Sequence, residues 1–389
     1  MKNWRNPTTL LFIMAAAMPF SLGLWMAMIN NFAVEQASFN GADIGLLQSI
    51  REIPGFLSFT VVFLLVFIRE QSLVLLSLLL LGIGTAITGY LPSFWGLCFT
   101  TLLMSFGFHY FEAVNQSLQL QWLGTEEAPR VLGKLVAVGS ASSLAAYCVI
   151  YLGLEYWGWS QLMVFLIGGL VTAVLAIAGA GLFPHFPSKV EQHKTLILRK
   201  RYWLYYALVF MSGARRQIFM VFAGFLMVEK FGFSASDSAL MYIANMLASM
   251  VVAPQIGKLI GFIGERRTLM IEYVGLALVF VGYALVESAE LAVALYIIDH
   301  LFFAMAIALK TYFQKIADPA DIAPTAGVSF SINHIAAVAI PASFGLIWLH
   351  SPAFVFYAGA VMAVMSLGLS LFVPRHPATG NETALSAAA

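Results

Sequence analysis

The sequence predicts an all-α polytopic membrane protein, with twelve transmembrane helices in two pseudo-symmetric six-helix bundles. Three observations carry that prediction. Of 389 residues, 61% are hydrophobic and 10% charged, and the mean hydropathy is +0.87; a soluble domain carries about 25% charged residues. Apolar windows long enough to cross a bilayer recur twelve times. Only one connection is long, residues 184–201, and it divides the windows six and six.

The first span, 8–33, follows Lys2 and Arg5. It is too long for a signal-peptide core and shows no small-residue cleavage site, so it is expected to remain as an anchor. The second, 42–68, carries Gln48, Arg51 and Glu52 at i, i+3, i+4, followed by Pro54-Gly55. One helix face thus holds all three polar groups, in a helix the Pro-Gly step can loosen. Arg51 and Glu52 suit an ion pair, either static or one that opens between states.

The third span, 71–91, has no ionisable residue. The fourth, 94–122, has His109, Glu112 and Gln116 in one stripe, with Tyr110 and Asn115 beside it. An imidazole that titrates near neutrality next to a carboxylate suits proton carriage; a hydrogen-bonded pair that only stabilises the helix is the alternative. The fifth and sixth, 131–155 and 159–183, complete the first half.

The seventh span, 202–228, is interrupted at its centre by Arg215, Arg216 and Gln217. Each guanidinium at mid-depth costs at least ~2.5 kcal/mol, so lipid cannot be its surroundings. Neighbours on a helix point about 100° apart. One arginine is therefore expected to face an internal cavity and bind an anion. The other is expected to pair with an acid such as Glu52, Glu112 or Asp299.

The eighth span is 237–262, and the ninth, 267–287, has Glu272, near one end, as the one acidic or basic residue between its terminal Arg267 and Glu287. The tenth, 290–316, places Asp299, Phe303, Ala306 and Lys310 on one face, with His300 adjacent. Lys310 can snorkel to the interface, which leaves Asp299 as the proton-coupling candidate. The eleventh, 324–348, contains Ser331, Asn333, His334 and Pro341, and the twelfth is 352–373. After Pro374 the chain is small and polar, a composition that does not pack a core. The domain reading is an N-terminal bundle 1–183, a cytoplasmic linker 184–201, a C-terminal bundle 202–374 and a flexible tail 375–389.

Fifteen of the twenty Lys and Arg fall on one side of the membrane if the N-terminus is cytoplasmic, and Lys230 alone falls on the other. This positive-inside bias places both termini in the cytoplasm, most simply of a bacterial inner membrane. Cys98 and Cys148 lie inside apolar runs, which argues against a disulfide framework. The halves repeat: Phe39-Asn-Gly-Ala-Asp43 opens the second span and Phe233-Ser-Ala-Ser-Asp237 the eighth, and the same offset carries Gly133 onto Gly327.

The connection after the eighth span reads Gly257-Lys258-Leu-Ile-Gly261-Phe-Ile-Gly264-Glu265-Arg266-Arg267. It is similar to the Gly-x-x-x-Asp-Arg-x-Gly-Arg-Arg loop of the major facilitator superfamily. Gly257, Gly264, Arg266 and Arg267 match, and Gly261 stands at the family's acidic position. The sister loop, Ile68-Arg69-Glu70-Gln71-Ser72, lacks the glycines and the aspartate. Residues 131–155 lack the Gly-Pro-x-x-Gly-Gly signature of drug–proton antiporters. The resemblance implies that the first, fourth, seventh and tenth helices line a cavity and that the third, sixth, ninth and twelfth are outer supports. The ionisable residues within spans follow that mapping.

The resulting expectation is a secondary active transporter of a small organic anion, coupled to protons. Substrate contacts fall to Arg215, Arg216, Gln217, Arg51, His109 and Asn115, and proton carriage to Glu52, Glu112, Asp299, His300 and His334. The resemblance adds a gating loop at Gly257, Gly264, Arg266 and Arg267. Efflux of a hydrophobic or cationic compound is the alternative, and a membrane receptor or enzyme on the same scaffold is a third. No phosphate loop, Ser/His/Asp set or His-Glu-x-x-His is legible, so no enzyme activity, cofactor or metal is expected. The expected partners are a small-molecule substrate, protons and lipid, with no nucleic acid, and the chain is expected to be a monomer.

Overall fold

The computed structural model describes residues 4–123, 128–187, 198–318 and 321–384. Lys189 and Lys194 of the expected linker and the last five residues lie outside them. The described residues are all-helical: α1 (Pro7–Ala37), α2 (Gly41–Phe56), α3 (Val61–Leu64), α4 (Glu70–Thr88), α5 (Phe94–Trp122), α6 (Ala128–Glu155), α7 (Gln161–Leu182), α8 (Trp203–Gln217), α9 (Gly224–Glu229), α10 (Ala235–Ile263), α11 (Glu265–Leu285), α12 (Ala289–Phe303), α13 (Ile307–Ile316), α14 (Ile322–Trp348) and α15 (Pro352–Ser370). Among the described residues ten helical stretches are long and apolar enough to cross a membrane.

Three of the twelve expected spans are composite rather than single helices. The second passes from α2 to α3 through a 3-10 turn at Leu57–Thr60, just after Pro54, which has no N–H to bond the carbonyl four residues back. The tenth joins α12 to α13 through a 3-10 turn at Ala304–Ala306. The seventh widens into π turns at Ile218–Ala223, between α8 and α9. Such turns carry one extra residue, and they concentrate at functional sites.

Helix starts are chemically marked. Asn6 Oδ1 accepts from Thr9 N at 2.9 Å and Ser93 Oγ from Gly96 N at 3.2 Å. The repeat at 39–43 and 233–237 proves to be a pair of capping boxes. Asn40 Oδ1 accepts from Asp43 N, and Asp43 Oδ2 accepts from Asn40 N. Ser234 Oγ and Asp237 Oδ2 make the same exchange at the other site.

Two compact units partition the chain, one comprising residues 1–39, 50–193 and 233–243, the other 40–49, 194–232 and 244–389. In the first, α4 packs against α5 and α7. A Cβ on Gly82 would stand 2.7 Å from the Ala173 N atom, and one on Gly169 would stand 2.3 Å from Ala86 N. Small residues let these backbones approach where lipid offers no hydrophobic drive to pack. The outward faces remain apolar, with Val174 and Ile177 exposed on α7.

In the second unit α8 packs on α14 and α11 on α15. Tyr202, Leu208, Tyr273, Tyr312 and Ile316 anchor its core. The first turns of α2 belong here: Trp348 on α14 covers Gly41, and Gly45 lies against the Pro341 carbonyl. The segment 375–384, expected to be flexible, folds back instead. Ala384 N donates to Phe372 O at 2.7 Å, and Tyr312 Oη donates to the Glu382 carbonyl. Its backbone groups are held by hydrogen bonds, which composition alone does not foretell.

Candidate functional site

Each unit contains buried polar groups. In the first, Arg51 and Glu52 near the end of α2 form the expected ion pair, and both are buried. His109, on α5 and 2% exposed, turns its Nε2 toward Glu52 Oε2 at 3.9 Å. Ser105, one turn earlier on α5, donates to the Arg51 carbonyl and lies 3.5 Å from His109 Nδ1. Arginine, carboxylate, imidazole and hydroxyl thus form one buried polar cluster with no exposed member. Glu112 and Gln116, expected on the His109 stripe, are exposed. Asn115 is half-buried, and its Oδ1 has no partner among the described residues.

In the second unit the two central arginines separate as helix geometry requires. Arg215 is 0% exposed, whereas Arg216 is exposed. Arg215 donates from Nε to the Met211 carbonyl at 3.2 Å and holds its guanidinium 4.4 Å from the centre of the Tyr273 ring. Its Nη2 stands 3.9 Å from Glu272 Oε1 on α11. The acid facing Arg215 at this distance is thus the one in the ninth span, outside the set expected from the sequence. Asp299 on α12 is fully buried and within electrostatic reach of Arg215.

Gln217 is buried, and its Oε1 has no partner among the described residues. His300, exposed on α12, lies near Arg216 and 6.0 Å from the Phe219 ring. His334 on α14 places Nδ1 2.8 Å from the Phe330 carbonyl, one turn back. Lys310 is exposed, consistent with snorkelling.

At the loop between α10 and α11, Gly264 adopts φ +79°, a left-handed conformation that glycine takes without strain. Arg266 is half-buried and Arg267 exposed, while Gly257 lies within α10. The ion pair beside this loop is made by Glu265, which meets Lys315 Nζ on α13 at 2.6 Å. A larger cluster ties the start of α8 to the start of α14. Asp321 accepts from Arg199 Nη2 at 3.0 Å, Arg201 Nη2 at 3.1 Å and Tyr202 Oη at 3.0 Å. The Arg199 hydrogen bond, reinforced by Tyr202 and Arg201, holds the Asp321 carboxyl below the ordinary carboxylate range. Neither Glu265–Lys315 nor Asp321 was expected, although 199–201 is basic and 318–321 acidic.

Against known proteins, the sequence matches the Major Facilitator Superfamily over residues 8–341. The chain belongs to the major facilitator superfamily. Solved transporters of this superfamily share its fold at low identity. A mutant form of the nucleoside transporter NupG superposes with TM-score 0.79 at 17% identity, covering 94% of this chain and 99% of that one. A bacterial homologue of the human lysosomal transporter Spinster, inward-facing and unoccupied, gives 0.71 at 14%, covering 95% and 97%. An auto-inhibited POT family peptide transporter gives 0.72 at 12%, covering 94% and 96%. No curated protein matches the sequence. Family and fold make this an integral, multi-pass secondary transporter of the superfamily with a small-molecule substrate.

Proposed function

We propose that the protein carries a small organic anion across the membrane by alternating access, coupled to protons, with both termini cytoplasmic and the chain acting as a monomer. One observation carries the anion reading: Arg216 is exposed in mid-span, beside a partner-less Gln217 Oε1 and directly before the π turns. Charge within a span is functional by default, and the planar guanidinium fork of this exposed arginine suits a carboxylate or phosphate. Arg215, buried beside Glu272 and Tyr273, faces the acids of its own unit instead.

Proton carriage is assigned to Glu52 and His109 in the first unit and to Asp299 in the second, with His300 and His334 as secondary candidates. Arg51 and Asn115 remain candidate substrate contacts, and the loop with Gly257, Gly264, Arg266 and Arg267 the candidate gate. NupG and the POT family member carry nucleosides and peptides by name; at 12–17% identity their substrates do not transfer. Efflux of a cation is the second reading, favoured by the exposed Glu112 on α5.

The deciding test is a thermal-shift series of the purified protein against mono- and dicarboxylates, phosphate esters and cationic drugs at several pH values. The expected result is stabilisation by an anion, lost in Arg216→Ala. Stabilisation by cations alone, lost in Glu112→Gln, would install efflux in its place.

A further inference from the structure

Around Arg215 of α8, Glu272 of α11 and Asp299 of α12, the second unit holds more charge than it satisfies. Arg215, Glu272 and Asp299 are 0%, 1% and 0% exposed. Among the described residues, both Nη atoms of Arg215, both Glu272 carboxylate oxygens and both Asp299 carboxylate oxygens lack hydrogen-bond partners. Tyr283 Oη, also unpartnered, sits close enough to feel the Asp299 charge. Buried polar groups are seldom left so.

Among the described residues, the neighbouring elements add no further charge to the cluster. On α8, Arg216 is exposed; on α12, His300 is exposed. Lys310 on α13 is exposed, and Tyr312 is committed to the Glu382 carbonyl. On α14, His334 faces the Phe330 carbonyl, and the described part of α15 offers only Tyr357. Tyr273 of α11 stacks under the guanidinium.

Charge counting then decides the protonation. One guanidinium against two carboxylates is net negative, and an uncompensated charge sealed from water is costly. One bound proton makes the cluster neutral. Counted from the turn joining α11 to α12, Glu272 lies about 20 Å and Asp299 about 15 Å along antiparallel helices, at ~1.5 Å per residue. Their depths differ by about 5 Å, within the swing of one arginine.

We propose that Arg215, Glu272 and Asp299 form a closed site for one exchangeable proton, with Arg215 the counter-ion of whichever carboxylate is ionised. In the arrangement observed, Arg215 faces Glu272 and the proton sits on Asp299. In the exchanged state the proton has left the Asp299 carboxyl oxygen for the Glu272 carboxylate, and the guanidinium has swung to Asp299. No electron moves, and the cluster stays neutral throughout. The proposal names Glu272 as a second proton carrier and deepens the proton-coupled reading, on which its role in transport rests.

The test needs no substrate. Infrared spectra of the purified protein in lipid vesicles are recorded at neutral pH, reading the C=O stretch of protonated carboxyls. The wild type should show the intensity of one protonated carboxyl that is lost in Asp299→Asn and lost equally in Glu272→Gln, since the remaining acid then ionises against Arg215. Arg215→Lys should keep it. Intensity that survives either single substitution, or is absent from the wild type, overturns shared ownership of the proton. Thermal unfolding of each variant confirms that it is folded. If the band behaves as expected while a transported anion moves no proton in vesicles, the site stands and the proton-coupled reading falls.

Discussion

Arg215 Nη2 stands 3.9 Å from Glu272 Oε1, and neither side chain reaches solvent. Removing every counter-ion of a buried arginine leaves an unpaired charge, which costs about 3–5 kcal/mol. The double variant Glu272→Gln/Asp299→Asn should lose stability on that scale. Each single variant should lose less than half as much, because the other carboxylate takes over. Thermal unfolding in detergent measures the cycle, and additive losses would show that the two acids do not share the arginine.

Arg216→Ala should behave oppositely. An exposed side chain away from the core is expected to change stability by no more than about 0.5 kcal/mol. Losing a charge-assisted hydrogen bond of about 1.5–3 kcal/mol should weaken binding of an anionic ligand roughly 10- to 100-fold. Calorimetric titration of wild type and variant with the best-stabilising anion checks both arms.

Asp321 gives a pH dependence with a defined sign. Its folded-state carboxyl is held down by Arg199, with Tyr202 and Arg201 assisting. The stability advantage of wild type over Asp321→Asn should be fully present above about pH 5. It should fade as pH falls through the ordinary aspartate value of about 3.9 and vanish below the lowered folded value. Unfolding temperatures of the two proteins across pH 3–7 test this; an advantage that grows on acidification would contradict it.

Two glycines offer a matched pair. A Cβ at Gly45 would lie 2.2 Å from the Pro341 carbonyl, a backbone atom with no room to yield. Gly45→Ala should destabilise by about 1–3 kcal/mol. Gly133 on α6 has nothing within 4 Å of such a Cβ, so Gly133→Ala should stabilise by up to about 1 kcal/mol through helix propensity. Comparable unfolding temperatures for the two variants would remove the close-packing account.

Hydropathy made the spans legible, and the paired Asn40–Asp43 and Ser234–Asp237 signatures marked helix starts because capping is a local interaction. That Arg215 and Arg216 must diverge was also legible, being a property of any helix. The identity of the facing acid was not. Glu272 looked peripheral because it lies toward one end of an outer helix, and only the tertiary fold brings the Arg215 guanidinium within 3.9 Å of it. The π turns after Gln217 escaped for a similar reason: no proline or glycine pair announces them, and tertiary packing at Phe219, Phe222 and Phe225 outweighs local preference. Asp321 sat in plain sight among polar loop residues, with no periodicity to single it out.

The widened turn at Ile218–Ala223 has a mechanical consequence. Beyond it, α9 is fastened by Trp348, whose Nε1 donates to Glu229 Oε2 at 2.7 Å and whose indole packs on Phe222 and Phe225. Before it, Arg215 is seated against Tyr273. A rod gripped at both ends with one surplus residue between them has slack.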